Sequence, residues 1–381
     1  MRIVYLLSAM GHTGGSLVLY HFMDELVKRG HDVFVTLPAG SFPWRQGCWE
    51  KVVSGKGYAQ LLSSLTGNVL RRLGAAGDVV RRALGRAPID SISQFAWMTK
   101  CLLKHAPEAD IYVATHCTTA LACYVLSRRA KGLYHAQHFE SIFFDDAIGQ
   151  ALAEATYFLP LELVANSSWL CRRLESLLGK EPRLLLPGID ATTFRPWKDI
   201  EQKYRETERL VVVSYYSPLR FKAWEEAVEA MKKVFEVLGR GRVEWRVFGG
   251  RPVRTPELPV KFVGKVMGVD LARLYSEAHV VFMNSWCESF PLPPLEGMAC
   301  GTAVVCTPVG TEDYAVDTVN CLWVEPRRPE ELAKAIIRIA RDPELAIRLA
   351  LNGISTAKRF DWDAAGRRLI EILKECQAQP A

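Results

Sequence analysis

NSWCESFPLPPLEGMACG, residues 284–301, is the stretch from which the rest of the chain can be read. A run rich in β-formers, His279 to Met283, leads into it, and a second apolar run, Thr302 to Cys306, follows. Glu288 and Glu296 stand eight positions apart within it, with Pro291, Pro293 and Pro294 between them. Proline is tolerated at the first positions of a helix and is poor elsewhere, so a helix is expected to begin near Pro293 or Pro294. Glu288 is then in a loop above a strand, and Glu296 in the first turn of the helix. A helix N-terminus at the carboxyl edge of a parallel sheet offers free N–H groups and a partial positive charge, which suits a phosphate. Two carboxylates would repel the phosphate itself, but they suit sugar and ribose hydroxyls on either side of it.

Working outward, the composition is that of a globular chain. Its 381 residues are enough for two domains of ordinary size, with 49% hydrophobic and 24% charged residues. The N-terminal MRIVYLLSAMGHTGG superficially resembles a leader, but its apolar run is short and enters a Gly-rich turn, so a first β-strand is expected. No apolar stretch approaches the roughly 20 residues needed to span a bilayer. The ten cysteines form no C-x-x-C pair, and buried reduced thiols in a cytosolic protein are the expectation. The net charge of +6 is concentrated between residues 41 and 108, where Lys and Arg outnumber acids by ten to four. There Val69 to Leu84 reads as an amphipathic helix, with Val69, Leu73, Val80 and Leu84 on one face and Arg71, Arg81, Arg82 and Arg86 around the other. Such a face suits peripheral contact with anionic membrane headgroups, or an ordinary solvated helix covering a sheet. Nucleic acid is disfavoured, because aromatics do not interleave with the basic residues.

Further motifs punctuate the chain. Ile3 to Leu7 is a strand, and Ser8 to Gly15 is a loop whose glycines let backbone approach a ligand, with Gly15 at the start of the next helix. The loop is not G-x-G-x-x-G, and no acid ends the second strand, His31 to Leu37, which argues against a nicotinamide enzyme. Asp110 to Thr115 is a strand ending at His116, where a doubly wound fold binds ligands. The segment His138 to Asp146 carries acids and aromatics, of which His138 and Glu140 are acceptor-side candidates. LVANSS (163–168), PGIDATTFRP (187–196) and YYSPLRFKAW (215–224) follow, then Gly264 to Val266 and VGTED (309–313). Asp361-Trp362-Asp363 has the form of a metal-binding D-x-D but is expected to be a helix start.

Glu288-x7-Glu296, the LVANSS strand and the PGIDATTFRP turn together resemble the retaining glycosyltransferases of family 4. The resemblance covers the chain apart from residues 41–108. It implies the GT-B fold, with two Rossmann-like doubly wound α/β domains facing across a cleft. Residues 1–198 would form the acceptor-side domain, rejoined by a C-terminal helix at 360–381, and residues 199–359 the nucleotide-sugar domain. The polar run Trp197 to Arg209 would be the linker. The resemblance further implies a sugar moved from a nucleotide-diphosphate donor to a glycan or lipid-linked acceptor, with no metal or cofactor. Glu288, Lys222 and His116 are implied as catalytic residues. Gly15, Arg220, Val266, Phe290, Leu292 and Glu296 are implied at the donor. Two departures stand out. Ala223 replaces the family's glycine, and Tyr216 or Ser217 occupies the place of its phosphate-binding arginine. Pro291 also removes one N–H from the loop after Glu288, leaving those of Phe290 and Leu292. These losses are what a catalytically degenerate, membrane-associated scaffold would show. The implied location is cytoplasmic, with possible contact at the inner face of the cell membrane.

Overall fold

The computed structural model describes residues 1–11, 13–46, 90–250, 255 and 258–378; the expected helix from Val69 to Leu84 lies outside them. The chain divides into two compact units. The first contains Met1–Asn166, Leu170–Leu185 and Trp362–Ala381, and the second Ser167–Trp169 and Leu186–Asp361.

In the first unit β1 (Arg2–Leu6), α1 (Gly14–Lys28), β2 (Asp32–Leu37) and β3 (Gly40–Pro43) come first. Then follow α2 (Ser91–His105), β4 (Ile111–Ala114), α3 (Cys117–Leu126), β5 (Lys131–Ala136), α4 (Ala147–Ala155), β6 (Glu162–Ala165), α5 (Ser168–Leu178) and β7 (Arg183–Leu184). The strand order is β3-β2-β1-β4-β5-β6-β7, parallel except for the β2–β3 hairpin. Ile3, Val4, Tyr5 and Leu6 are all fully buried, the unbroken apolar pattern of a strand covered on both faces. Order reverses between β1 and β4, so the carboxyl ends of those strands flank the switch point at which such sheets bind ligands.

The second unit repeats the plan with α6 (Ile200–Arg205), β8 (Leu210–Tyr216), α7 (Trp224–Leu238), β9 (Val243–Gly249), β10 (Val260–Gly264) and α8 (Gly268–Glu277). It continues through β11 (Val280–Met283), α9 (Leu292–Ala299), β12 (Ala303–Cys306), β13 (Leu322–Trp323), α10 (Pro329–Arg341) and α11 (Pro343–Ala357). Its all-parallel order is β10-β9-β8-β11-β12-β13, which puts the switch point between β8 and β11. One core packs Trp245, Phe282 and Met231 with Leu332, Ile336 and Leu349; the other packs Tyr275, Val281, Leu295, Met298 and Tyr314. Two Rossmann-like α/β units are therefore present, as the sequence led us to expect. The last helix, α12 (Trp362–Ala378), belongs to the first unit, where Trp362 stacks on His21 at 4.5 Å between ring centres.

The chain leaves the first unit at Leu185, earlier than the polar run read as a linker. That run is an element of the second unit. The hydroxyl of Tyr204 donates to the His279 carbonyl at 2.9 Å and accepts from the Ala303 N–H at 2.7 Å. Lys203 is buried, its ammonium donating to the carbonyls of Ser276 (3.3 Å) and Gly301 (2.7 Å). Composition made the segment look solvated, but Lys203 serves carbonyls at the ends of α8 and α9, and Tyr204 ties the residue before β11 to the first residue of β12. Cys117, Cys123, Cys300, Cys306, Cys321 and Cys376 are buried thiols. No described helix is long and apolar enough to cross a membrane.

Candidate active site

In the second unit the two loops flanking the switch point are tied together. The Trp286 backbone N–H donates to the Phe221 carbonyl at 2.7 Å, and the Asn284 side-chain amide donates to the Ala223 carbonyl at 2.9 Å. These bonds fix the loop after β8 against the loop after β11, and the two functional side chains meet as a result. Lys222 Nζ lies 2.5 Å from Glu288 Oε1. Glu288 is buried and Lys222 only partly exposed, so the pair is largely withdrawn from water. Ala223, in the family's glycine position, has φ 55° and ψ 48°, a left-handed conformation that glycine adopts without strain. The methyl group is fully buried there, and the loop keeps the shape that the substitution works against.

Gly310 closes the site from a third loop. At φ 76° it lies so near that a Cβ would stand 2.6 Å from both the Glu288 and the Ser289 carbonyl oxygens. Any side chain would push on the backbone that carries Glu288.

The helix after Glu288 starts at Leu292, with Pro291 as its N-cap. The helix start is close to the expected one, but the chemistry of its N-terminus differs. Pro293 and Pro294 occupy the second and third helical positions and carry no N–H, so Leu292 alone supplies an amide in those first three places. The helix dipole remains, while most of the hydrogen-bond donors expected of a phosphate-binding helix start are missing. Glu296 falls in the second turn rather than the first. It is buried, accepts from the Tyr275 hydroxyl at 3.2 Å, and burial raises its carboxyl pKa to about 7, against the lowering effect of that bond. Tyr275 is held well above the ordinary phenol value, chiefly by burial and then by Glu296, so it stays a donor.

Around this centre, Phe290 is buried against Tyr314 (5.3 Å) and Phe360 (5.9 Å), and Val266 and Leu292 pack partly exposed on the same core. Tyr216 packs on Trp224 and Phe262, and Ser217 is buried, so neither residue at the place of the family arginine supplies a cation. Arg220 is exposed, 5.6 Å from the centre of the Trp286 ring.

In the first unit Gly15 is the second residue of α1, and among the described residues a Cβ there would meet Gln137 alone, at an ordinary 3.9 Å. His116 is the N-cap of α3. Its Nδ1 accepts from the Thr118 N–H at 3.3 Å and lies 2.9 Å from the Thr118 hydroxyl. Glu140, an acceptor-side candidate, is buried; one carboxylate oxygen accepts from the Cys117 N–H and from the Tyr134 hydroxyl at 2.8 Å. His138 is buried beside Phe143, at 5.2 Å between rings. The ligand atoms of His116, Cys117 and Glu140 come within 4.8 Å of one another. Three such donors could hold a soft divalent ion, but the capping role makes Nδ1 an acceptor and puts the proton on Nε2. Burial and Glu140 also hold the Cys117 thiol far above its ordinary value. The arrangement is that of a helix cap braced by a carboxylate. In the D-x-D stretch, Asp363 binds Arg29 at 2.5 Å and also Arg367, a structural use.

Sequence reading missed Tyr275, Asn284, Trp286 and Gly310's steric role. Only the glycine left a signal, in VGTED.

Residues 179–342 match the family described as glycosyl transferases group 1. The D-inositol 3-phosphate glycosyltransferase of Frankia alni is 30% identical over 221 residues, 52% of this chain and 54% of that protein. The O-antigen biosynthesis protein RfbC of Myxococcus xanthus is 28% identical over 288 residues, 72% of this chain and 21% of that protein. The chain thus spans little more than half the length of the first of these. Among solved structures, Anabaena HepE in complex with UDP-glucose superposes with a TM-score of 0.71 at 17% identity, covering 98% of this chain and 100% of that one. Sucrose-phosphate synthase from Thermosynechococcus elongatus gives 0.68 at 18% identity, covering 98% of each. Residues 179–342 thus resemble the glycosyl transferases group 1, and the chain, with its two Rossmann-like sheets, has the GT-B fold.

Proposed function

We propose that this chain is a retaining glycosyltransferase. It would move a sugar from a nucleotide-diphosphate donor to a glycan or lipid-linked acceptor in cell-surface polysaccharide or glycolipid synthesis. The observation that carries the proposal is the Lys222–Glu288 pair, held 2.5 Å apart by loops from either side of the switch point. The leaving diphosphate develops negative charge as the sugar departs, and a preorganised cation in a partly desolvated site stabilises that charge. Lys222 is that cation. When donor binds, its ammonium turns toward the phosphate oxygens, and Glu288 is freed to accept from hydroxyls of the sugar. Glu296 accepts from the ribose, while Val266, Phe290, Leu292 and Arg220 complete the donor side.

On the acceptor side we place Gly15 and His116, with Glu140 and His138 behind them, where Glu140 braces the Cys117 amide at the start of the helix that His116 caps. No metal is required in this scheme, because side-chain cations take the charge that a divalent ion would. HepE's complexes with UDP and UDP-glucose support a nucleotide-sugar donor, and the name of RfbC supports a polysaccharide setting. We place the protein in the cytoplasm, and a lipid-linked acceptor would bring it to the inner face of the membrane.

The test is a thermal-shift screen of UDP, GDP, ADP and dTDP with their sugar conjugates, on the native chain and on Glu296→Gln. A ligand at about 100 times its Kd adds about 2.7 kcal/mol to folding. One nucleotide should raise Tm in the native chain and do so less in the variant. No shift with any of them would overturn the proposal in favour of a non-catalytic scaffold, the reading that the proline-blocked start of α9 favours.

A further inference from the structure

Trp286 lies between two arginines that come from different loops. Its indole N–H donates to Glu226 Oε1 at 3.0 Å, which together with the backbone bond to Phe221 fixes the ring. The Arg327 guanidinium lies 4.1 Å from the ring centre, and that of Arg220 lies at 5.6 Å. Both side chains belong to exposed residues, and neither forms an ion pair with a described carboxylate. Lys222 nearby is matched by Glu288, and Glu226 is engaged by the indole. The two arginines are therefore a local excess of positive charge.

Arg327 also sits at φ 62°, one of three non-glycine residues in the left-handed region among the described residues. A strained residue of this kind persists where the surroundings over-determine it, and such positions cluster at ligand clamps. Stacking engages the face of a guanidinium and leaves the N–H donors around its edge available for a planar, bidentate partner. Two cations brought to one ring, with their donors unspent, repel each other until an anion lies between or beside them.

We propose that Arg220 and Arg327, held on Trp286, form an oxyanion clamp in the second unit that binds a phosphate group. It rests on the donor reading for Arg220 and goes beyond it in adding Arg327 and Trp286. The phosphate could belong to the donor's diphosphate or to a phosphorylated acceptor; the chemistry is the same for both.

The experiment is calorimetric titration of the full chain with inorganic pyrophosphate, UDP and uridine, at low and moderate salt, for native protein, Arg327→Gly and Arg327→Lys. Glycine removes the cation and relieves the left-handed strain, so folding is held or improved while binding is tested. Arg327→Gly should weaken pyrophosphate by about three- to tenfold, the loss of one charge-assisted contact at an exposed site, and less so as salt rises. Arg327→Lys should recover part of it. An equal loss with UDP but none with uridine assigns the clamp to the donor's diphosphate. A loss with pyrophosphate alone assigns it to a separate phosphate. Affinities within twofold of native for both anions, or no pyrophosphate binding to the native chain, overturn the clamp. A Glu296-dependent response to UDP would survive that outcome, and a clamp that binds pyrophosphate in a chain deaf to every nucleotide would survive the failure of the donor reading.

Discussion

Lys222 and Glu288 form an ion pair between two loops, and each keeps the other's charge tolerable in a site poor in water. Removing one partner leaves a buried carboxylate without its counter-charge. Lys222→Ala is expected to lower the transfer rate by roughly 10²-fold, the scale of losing one preorganised electrostatic contact. Single-turnover assay with the donor found by thermal shift would check this, and full activity in the variant would dismiss the leaving-group role. Glu296 adds a pH signature. Its folded pKa of about 7 lies above the ordinary carboxylate value, so between the two the folded chain holds a proton that the unfolded chain has lost. Its contribution to stability therefore falls as pH rises through that window. Ribose hydroxyls donate to the ionised form, so nucleotide affinity should rise with pH up to about 7 and binding should release protons. Calorimetry in buffers of different ionisation enthalpy would register the release, and Glu296→Gln should abolish it.

At the level of elements, the site depends on loops that have almost no freedom. Gly310 has a left-handed backbone and touches the carbonyls of Glu288 and Ser289. Gly310→Ala combines left-handed strain of about 1–2 kcal/mol with a clash against backbone, and should destabilise the chain by roughly 2–4 kcal/mol. Chemical denaturation would measure the loss, and a change under about 0.5 kcal/mol would mean that the turn relaxes freely. Lys203 in α6 is a different device, a buried cation on the last carbonyls of α8 and α9. Burial lowers its pKa to about 7, so from there to the ordinary lysine value the unfolded chain binds a proton that the folded chain does not. Its contribution to stability thus rises with pH across that window. Lys203→Met should flatten the stability profile between about pH 7.5 and 9.5 relative to the native chain. Parallel slopes would show that the ammonium stays charged in place, held by its two carbonyls.

For the molecule as a whole, the scheme assigns charge stabilisation to side chains and a helix dipole. Dialysis against EDTA is accordingly expected to leave both nucleotide binding and transfer unchanged within about twofold, the bound set by treating any metal contribution as under about 0.4 kcal/mol. A loss restored by Mg²⁺ or Mn²⁺ would reassign the leaving-group chemistry to an ion.

The sequence by itself determined the two sheets, because strands covered on both faces must be continuously apolar and those of Ile3–Leu6, Val280–Met283 and Ala303–Cys306 are. It also determined the order of the motifs, the helix start among the prolines and the return of the last helix, each governed by local backbone chemistry. Trp197 to Arg209 was misread for the complementary reason: its polar composition says nothing about Lys203 finding two orphan carbonyls far along the chain. Only the tertiary structure decided what meets what. Lys222 and Glu288 are 66 positions apart, Tyr275 and Glu296 21, and Trp286 and Arg327 meet across three strands of sheet order. Those distances depend on parallel register and loop closure, which no local pattern encodes. Glycine and proline mark where the backbone must turn, while the pairing of charges waits on the fold that brings the turns together.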